Sequence, residues 1–145
     1  MNLPKQVEIV EVSPRDGLQM LPLFVPTADK IKLIELAKDA GFRRIEAVSF
    51  VSPKAVPQMA DAGEILAAIG DDENIDEVAL ALNEKGYKRA IAADVDWICY
   101  VMAATETMSL KNANTTIADG LQMTKNCIAD AHEKGIKVRA SIAVT

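Results

Sequence analysis

The 145-residue chain is 50% apolar and 26% charged, the balance of one soluble globular domain with enough apolar area to bury a core. Its 16 basic residues are scattered among 21 acidic ones, giving a net charge of −5, which argues against nucleic acid as a partner. No apolar run reaches the roughly 18 residues of a membrane span, and the start MNLPKQVEIV lacks the charged-then-apolar layout of a secretion signal, so a cytoplasmic protein that meets no membrane is expected.

The first predicted element is a strand, VEIVEV (7–12), running into the turn SPRDGLQM. A helix follows Pro26, with Thr27 placed to cap it, Asp29 in its first turn, apolar residues at Ile31, Leu33, Ile34, Leu36, Ala37 and Ala40, and Gly41 as the stop. Next come a strand RIEAVSFV (44–51), a helix over about 59–69 ending before Gly70, and a strand EVALAL (77–82). A helix over about 84–93, a strand DWICYVMA (96–103), a helix over about 115–134 ending at Gly135, and a strand IKVRASIAV (136–144) complete the series. The strands are nearly continuous apolar runs, as in buried parallel sheets. No linker, low-complexity tract or charge block divides the chain, so residues 1–145 form a single domain.

This alternation predicts an α/β fold with a parallel sheet, either an open doubly wound sheet or part of a (β/α)8 barrel. The glycine-rich phosphate turn of a dinucleotide-binding sheet is absent, which favours the barrel, whose functional residues sit on loops after the strands. The strand order should then be 1-2-3-4-5. Those loop positions are Arg15, Asp16 and Gln19 after the first strand, Glu46, Ser49 and Lys54 at the end of the second, Asn83 after the third, and Thr105, Glu106, Lys111 and Asn112 after the fourth. Ordinary loop polarity accounts for Ser49, Lys54, Thr105, Glu106 and Lys111. Arg15 and Asp16 fit it less well, because neighbours in sequence do not readily pair with each other and each charge needs a partner. A divalent cation would suit Asp16, and Glu46 on the next strand would suit Arg15; on the residues alone, a functional pair and a polar loop both stand.

The runs VEIVEVSPRDGLQ and TADKIKLIELAKDAGFRRIEAVSFVSPKAVPQMAD, with weaker matches at ALN (81–83), ATETMSLKNAN (104–114) and KVRASIAV (137–144), resemble the 3-hydroxy-3-methylglutaryl-CoA lyases, metal-dependent enzymes built on a TIM barrel. Related condensing enzymes carry a Thr-Leu-Arg-Asp-Gly version of the first motif instead. The resemblance implies parallel (β/α) units of a TIM barrel, about the first four and a half of eight. It implies an acyl-CoA substrate, a divalent metal (Mg²⁺ or Mn²⁺) held by Asp16, and an Arg15 that polarises the acyl carbonyl and stabilises the enolate. It also implies a Glu46 that holds Arg15 and helps set proton traffic, Gln19 and Asn112 near the substrate, and a place in leucine degradation.

The family's His-x-His pair, later Asn and Gly-rich-loop Cys have no counterpart here. His132 reads as a solvent-facing helix end, and Cys99 and Cys127 read as buried thiols of a reducing compartment. A barrel needs about 250 residues, so the expectation is a chain that is inactive alone. It would self-associate through the edge of the fifth strand and an exposed apolar interior, or belong to a longer polypeptide. A condensing enzyme of the same group and a non-catalytic half-barrel are the alternative readings.

Overall fold

The computed structural model describes residues 3–70 and 72–143. In chain order they form β1 (Val10–Glu11), a π-helical turn (Ser13–Gly17), α1 (Thr27–Asp39), β2 (Arg44–Ser49), a 3-10 turn (Pro57–Met59), α2 (Ala62–Ile69) and β3 (Asp76–Ala81). There follow α3 (Glu84–Ala92), β4 (Trp97–Ala103), α4 (Glu106–Ala113), α5 (Ile117–Glu133) and β5 (Lys137–Ala143). All strand pairs are parallel and the sheet order is β1-β2-β3-β4-β5, as the alternation predicts for consecutive units of a barrel.

Period-two alternation assigns the two faces. Ile45, Ala79, Ala81, Ile98 and Tyr100 pack with Ile34, Ala37, Ile65, Tyr87, Ala90, Cys127 and Ala131 of the helices, so the helices cover one face. A register shift between Glu46 and Val48 puts Ala47 and Val48 together in that core and returns Ser49 to the other face. A doubly wound sheet would need helices on both faces; here the second face is the concave inner one. The α3 end of the core is tight: Asn83 caps the helix by accepting from Gly86 N at 2.9 Å, and a Cβ on Gly86 would lie 2.7 Å from the Phe50 carbonyl oxygen.

Four expectations are corrected. The first strand shrinks from 7–12 to two residues, Val10 and Glu11, which pair with Arg44 and Ile45 of β2, and Val7 and Ile9 are exposed. Thr27 does not cap α1: Pro26 holds the N-cap position, and the Thr27 hydroxyl donates to Asp61 Oδ2 at 2.9 Å. The segment 106–113 is not loop but α4, capped by Thr105 Oγ1 accepting from Met108 N; eight residues with no clean apolar stripe concealed it. Finally, the inner face is mixed rather than wholly apolar: Leu80 packs with Val51 and Met59, bordered by Leu18 and Val101, while charges occupy the rest. Near its amino end Arg44 stacks on Trp97 at 4.3 Å and donates to Asp76 Oδ2 at 2.8 Å, and Lys137 reaches Asp76 Oδ1 at 3.2 Å. The cations hold the Asp76 carboxyl below its usual range even though burial opposes this. Val144, at the end of the predicted fifth strand, lies outside the described residues.

Candidate active site

Directly after β1 the backbone tightens around Pro14: Asp16 N donates to Val12 O at 2.7 Å, and Glu11 Oε1 accepts from Ser13 N at 2.7 Å. This turn packs on β2 and carries Arg15 back over the inner face. Glu46 enters the same space from β2, immediately before the register shift.

Arg15 Nε donates to Glu46 Oε1 at 2.6 Å, and its Nη2 meets the same oxygen. The ion pair expected from the sequence is therefore present. Contrary to expectation, Arg15 Nη1 also donates to Asp16 Oδ1 at 2.6 Å. The π-helical turn brings the neighbouring side chains to one side, and the guanidinium fork reaches two acids at once. The Glu46 side chain is 2% exposed, that of Arg15 14%, and that of Asp16 58%. The three thus form a gradient from a buried anchor to an open carboxylate.

The sequence reading missed Arg139 as a member of the site. Its Nη2 donates to Glu46 Oε2 at 2.6 Å and to Cys99 Sγ at 3.2 Å, while Cys99 Sγ lies 3.6 Å from Ser141 Oγ. Burial pushes the Arg139 guanidinium pKa down, but Cys99 and Glu46 outweigh it and the net shift is upward. The one available signal was an arginine in mid-strand, alternating in phase with Lys137 and Ser141. Pairing with a residue 93 positions away cannot be read from spacing.

The remaining candidates divide. Gln19 follows the turn, and its Oε1 is buried without a hydrogen-bond partner; Ser49 Oγ is in the same condition on the inner face. Asn112 is exposed on α4 and lines a cavity of about 40 Å³ with Tyr100, Met102 and Ser109 against β4 and α5, not the Arg15 cluster. Asn83 and Thr105 are helix caps, and Glu106 Oε2 accepts from Ile117 N at 3.1 Å, so all three shape helix starts. Lys54, Lys111 and His132 are exposed, while Cys99 and Cys127 are free and buried.

A buried carboxylate gripped by two guanidiniums fixes Arg15 in orientation while leaving some of its N–H groups for an incoming oxygen. That arrangement can hold a carbonyl and stabilise negative charge developing on it. For a divalent cation the donor set falls short: Asp16 gives one carboxylate where a hard cation takes about six oxygens, and no group of three or more His, Cys, Asp or Glu among the described residues is placed to hold a metal.

Residues 6–145 match the model of the HMGL-like family. The chain is 44% identical over 140 residues to the mitochondrial hydroxymethylglutaryl-CoA lyase of Bos taurus, covering 97% of this chain and 43% of that protein. It is 41% identical over 143 residues to the 3-hydroxy-3-isohexenylglutaryl-CoA/hydroxy-methylglutaryl-CoA lyase of Pseudomonas aeruginosa, covering 99% and 48%. The crystal structure of the HMG-CoA lyase from Brucella melitensis superposes with a TM-score of 0.89 at 45% identity, over 96% of this chain and 49% of that one. The chain thus spans somewhat under half the length of these relatives, and its five parallel strands correspond to the first part of their barrel. With a family match over nearly its whole length and the PRDGLQ turn seated on Glu46, the chain belongs to the HMGL-like family.

Proposed function

We propose that this chain supplies the amino-terminal half of a carbon–carbon lyase barrel that cleaves 3-hydroxy-3-methylglutaryl-CoA to acetyl-CoA and acetoacetate. The observation that carries the reading is Arg15 held on the buried Glu46 at the carboxyl end of β1, beside the exposed Asp16. In the reaction the 3-hydroxyl loses its proton, the bond between C2 and C3 breaks, and the electron pair becomes the enolate of acetyl-CoA before protonation. Arg15 meets the acyl carbonyl oxygen and stabilises the charge that grows there, which lowers the barrier because that charge is larger in the transition state than in the substrate. Glu46 keeps the guanidinium plane fixed and Arg139 keeps Glu46 fixed. Gln19 lies along the approach of the substrate, and Asn112, on α4 and apart from the Arg15 cluster, would meet the substrate farther out. Asp16 would hold one coordination position of Mg²⁺ or Mn²⁺, with the other donors supplied by chain beyond these residues; a cation bound there would polarise the substrate oxygens.

The wider reading places this activity in leucine degradation and in a reducing, cytoplasmic compartment, with association of more than one chain. The relative that also acts on an isohexenylglutaryl-CoA supports a longer 3-hydroxyacyl-CoA as a second substrate class. The PRDGLQ spelling supports lyase over condensing chemistry.

The test is acetoacetate release. The 145-residue chain alone should release none, and measurable release would overturn that part of the reading. In a barrel completed with the family's remaining half, Arg15→Lys should lower kcat by about 10²–10³-fold because an ammonium cannot reproduce the planar fork. Asp16→Asn should lose activity chiefly through metal affinity. Full activity in Arg15→Lys would remove the reading.

A further inference from the structure

Lys30 lies in the first turn of α1 and is 1% exposed. Two costs attach to that position: a buried ammonium is desolvated, and a cation at a helix amino end opposes the helix dipole. Apolar packing alone would be served better by a methionine or leucine. What the ammonium does instead is join three segments. It donates to both Asp61 oxygens, at 2.8 and 2.9 Å, and to the Gln58 carbonyl, and it sits 4.2 Å from the centre of the Phe24 ring. Gln58 Nε2 in turn donates to the Leu21 carbonyl at 2.5 Å.

These contacts bind the β1–α1 loop, which continues directly from Arg15, Asp16 and Gln19, to the β2–α2 loop, which continues from Glu46 and Ser49. We infer that Lys30 is a positioning residue: its buried ammonium latches the two loops into one rim and through them holds Arg15 on Glu46. Its importance for catalysis rests on the lyase reading above; the latch itself does not.

The test is amide and side-chain hydrogen exchange on the chain without substrate, so its failure is separate from failure of the lyase reading, which acetoacetate release decides. Lys30→Met leaves the Asp61 carboxylate buried without a counter-charge, still bonded by the Thr27 hydroxyl, and can cost the fold, so the deciding variant is the double substitution Lys30→Met, Asp61→Leu, which removes both charges and keeps the branched shape at position 61. In the double variant the amides of Leu21, Val56, Met59 and Ala60, all hydrogen-bonded within the two loops, should exchange at least about tenfold faster. The Arg15 Nε–H should follow, while amides of β3 and β4 keep their protection. Wild-type exchange at either the loop amides or the Arg15 Nε–H would overturn the inference.

Discussion

On its helix-covered face the sheet presents Ile45, Ala79, Ala81, Ile98 and Tyr100, while its inner face presents Arg44, Glu46, Asp76, Cys99, Lys137 and Arg139 beside an apolar patch at Leu80 and Val101. The covered face gains stability from apolar area, which is non-directional and tolerates small changes in shape. The charged part of the inner face is tolerable because its charges are partnered, so its stability depends on completeness rather than on area. A paired face of this kind is costly as a core and useful as a site. It keeps Arg15 oriented, with donors to spare, in a place where a well-packed leucine would give only stability.

The largest expected effect breaks the inner face. Glu46→Gln leaves Arg139 without its carboxylate partner and Arg15 with the exposed Asp16 alone, and should cost about 3–5 kcal/mol, read from the denaturant midpoint. Replacing Arg15, Glu46 and Arg139 together with Met, Leu and Met should recover most of that loss; a triple variant as unstable as Glu46→Gln would show that the charges themselves stabilise this face. Second, Gly86→Ala tests a close approach on the covered side. A Cβ placed 2.7 Å from the carbonyl oxygen of Phe50, the residue after β2, must push α3 away from it, at about 1–3 kcal/mol. An unchanged thermal midpoint would show that the helix yields freely there.

Third, Ile98→Val removes one methylene from the fully buried covered face and should cost about 1 kcal/mol; a loss as large as that of Glu46→Gln would erase the contrast between the faces. The smallest effect sharpens the comparison at a charged residue of the covered face, Glu77, which lies 3.1 Å from Lys38. Burial raises its pKa above the ordinary 4.5 despite Lys38. The folded state therefore binds the proton more tightly than the unfolded chain does. This contribution is fully present below pH 4.5 and is lost as the pH rises through the raised folded value. Stability measured against pH should decline less steeply across that window in Glu77→Gln than in the parent chain, and parallel profiles would contradict the assignment.

Much of the fold was legible because it rests on local, repeated signals. Alternating apolar strand runs and helix stops at Gly41, Gly70 and Gly135 led to five parallel strands in sequence order, and the glycines take the positive φ such stops require. Where the local signal was weak, the reading failed. The eight residues of α4 have no apolar stripe, and of the apolar run 7–12 two residues, Val10 and Glu11, form strand. Of the candidate site, the PRDGLQ turn and Glu46 were legible as charges needing partners next to a strand.

The sequence by itself determined the order of the strands and of the strongly periodic helices, the family, and the presence of an arginine and an acid at the first turn, because periodicity, caps and a specific motif are all encoded within a few neighbouring residues. Only the tertiary structure decided which charges meet. The register shift in β2, the π-helical turn after β1 and the parallel pairing of β4 with β5 bring Arg15, Glu46 and Arg139 together. Adjacency between residues 31 and 93 positions apart depends on how strands are laid side by side, and no local pattern records it.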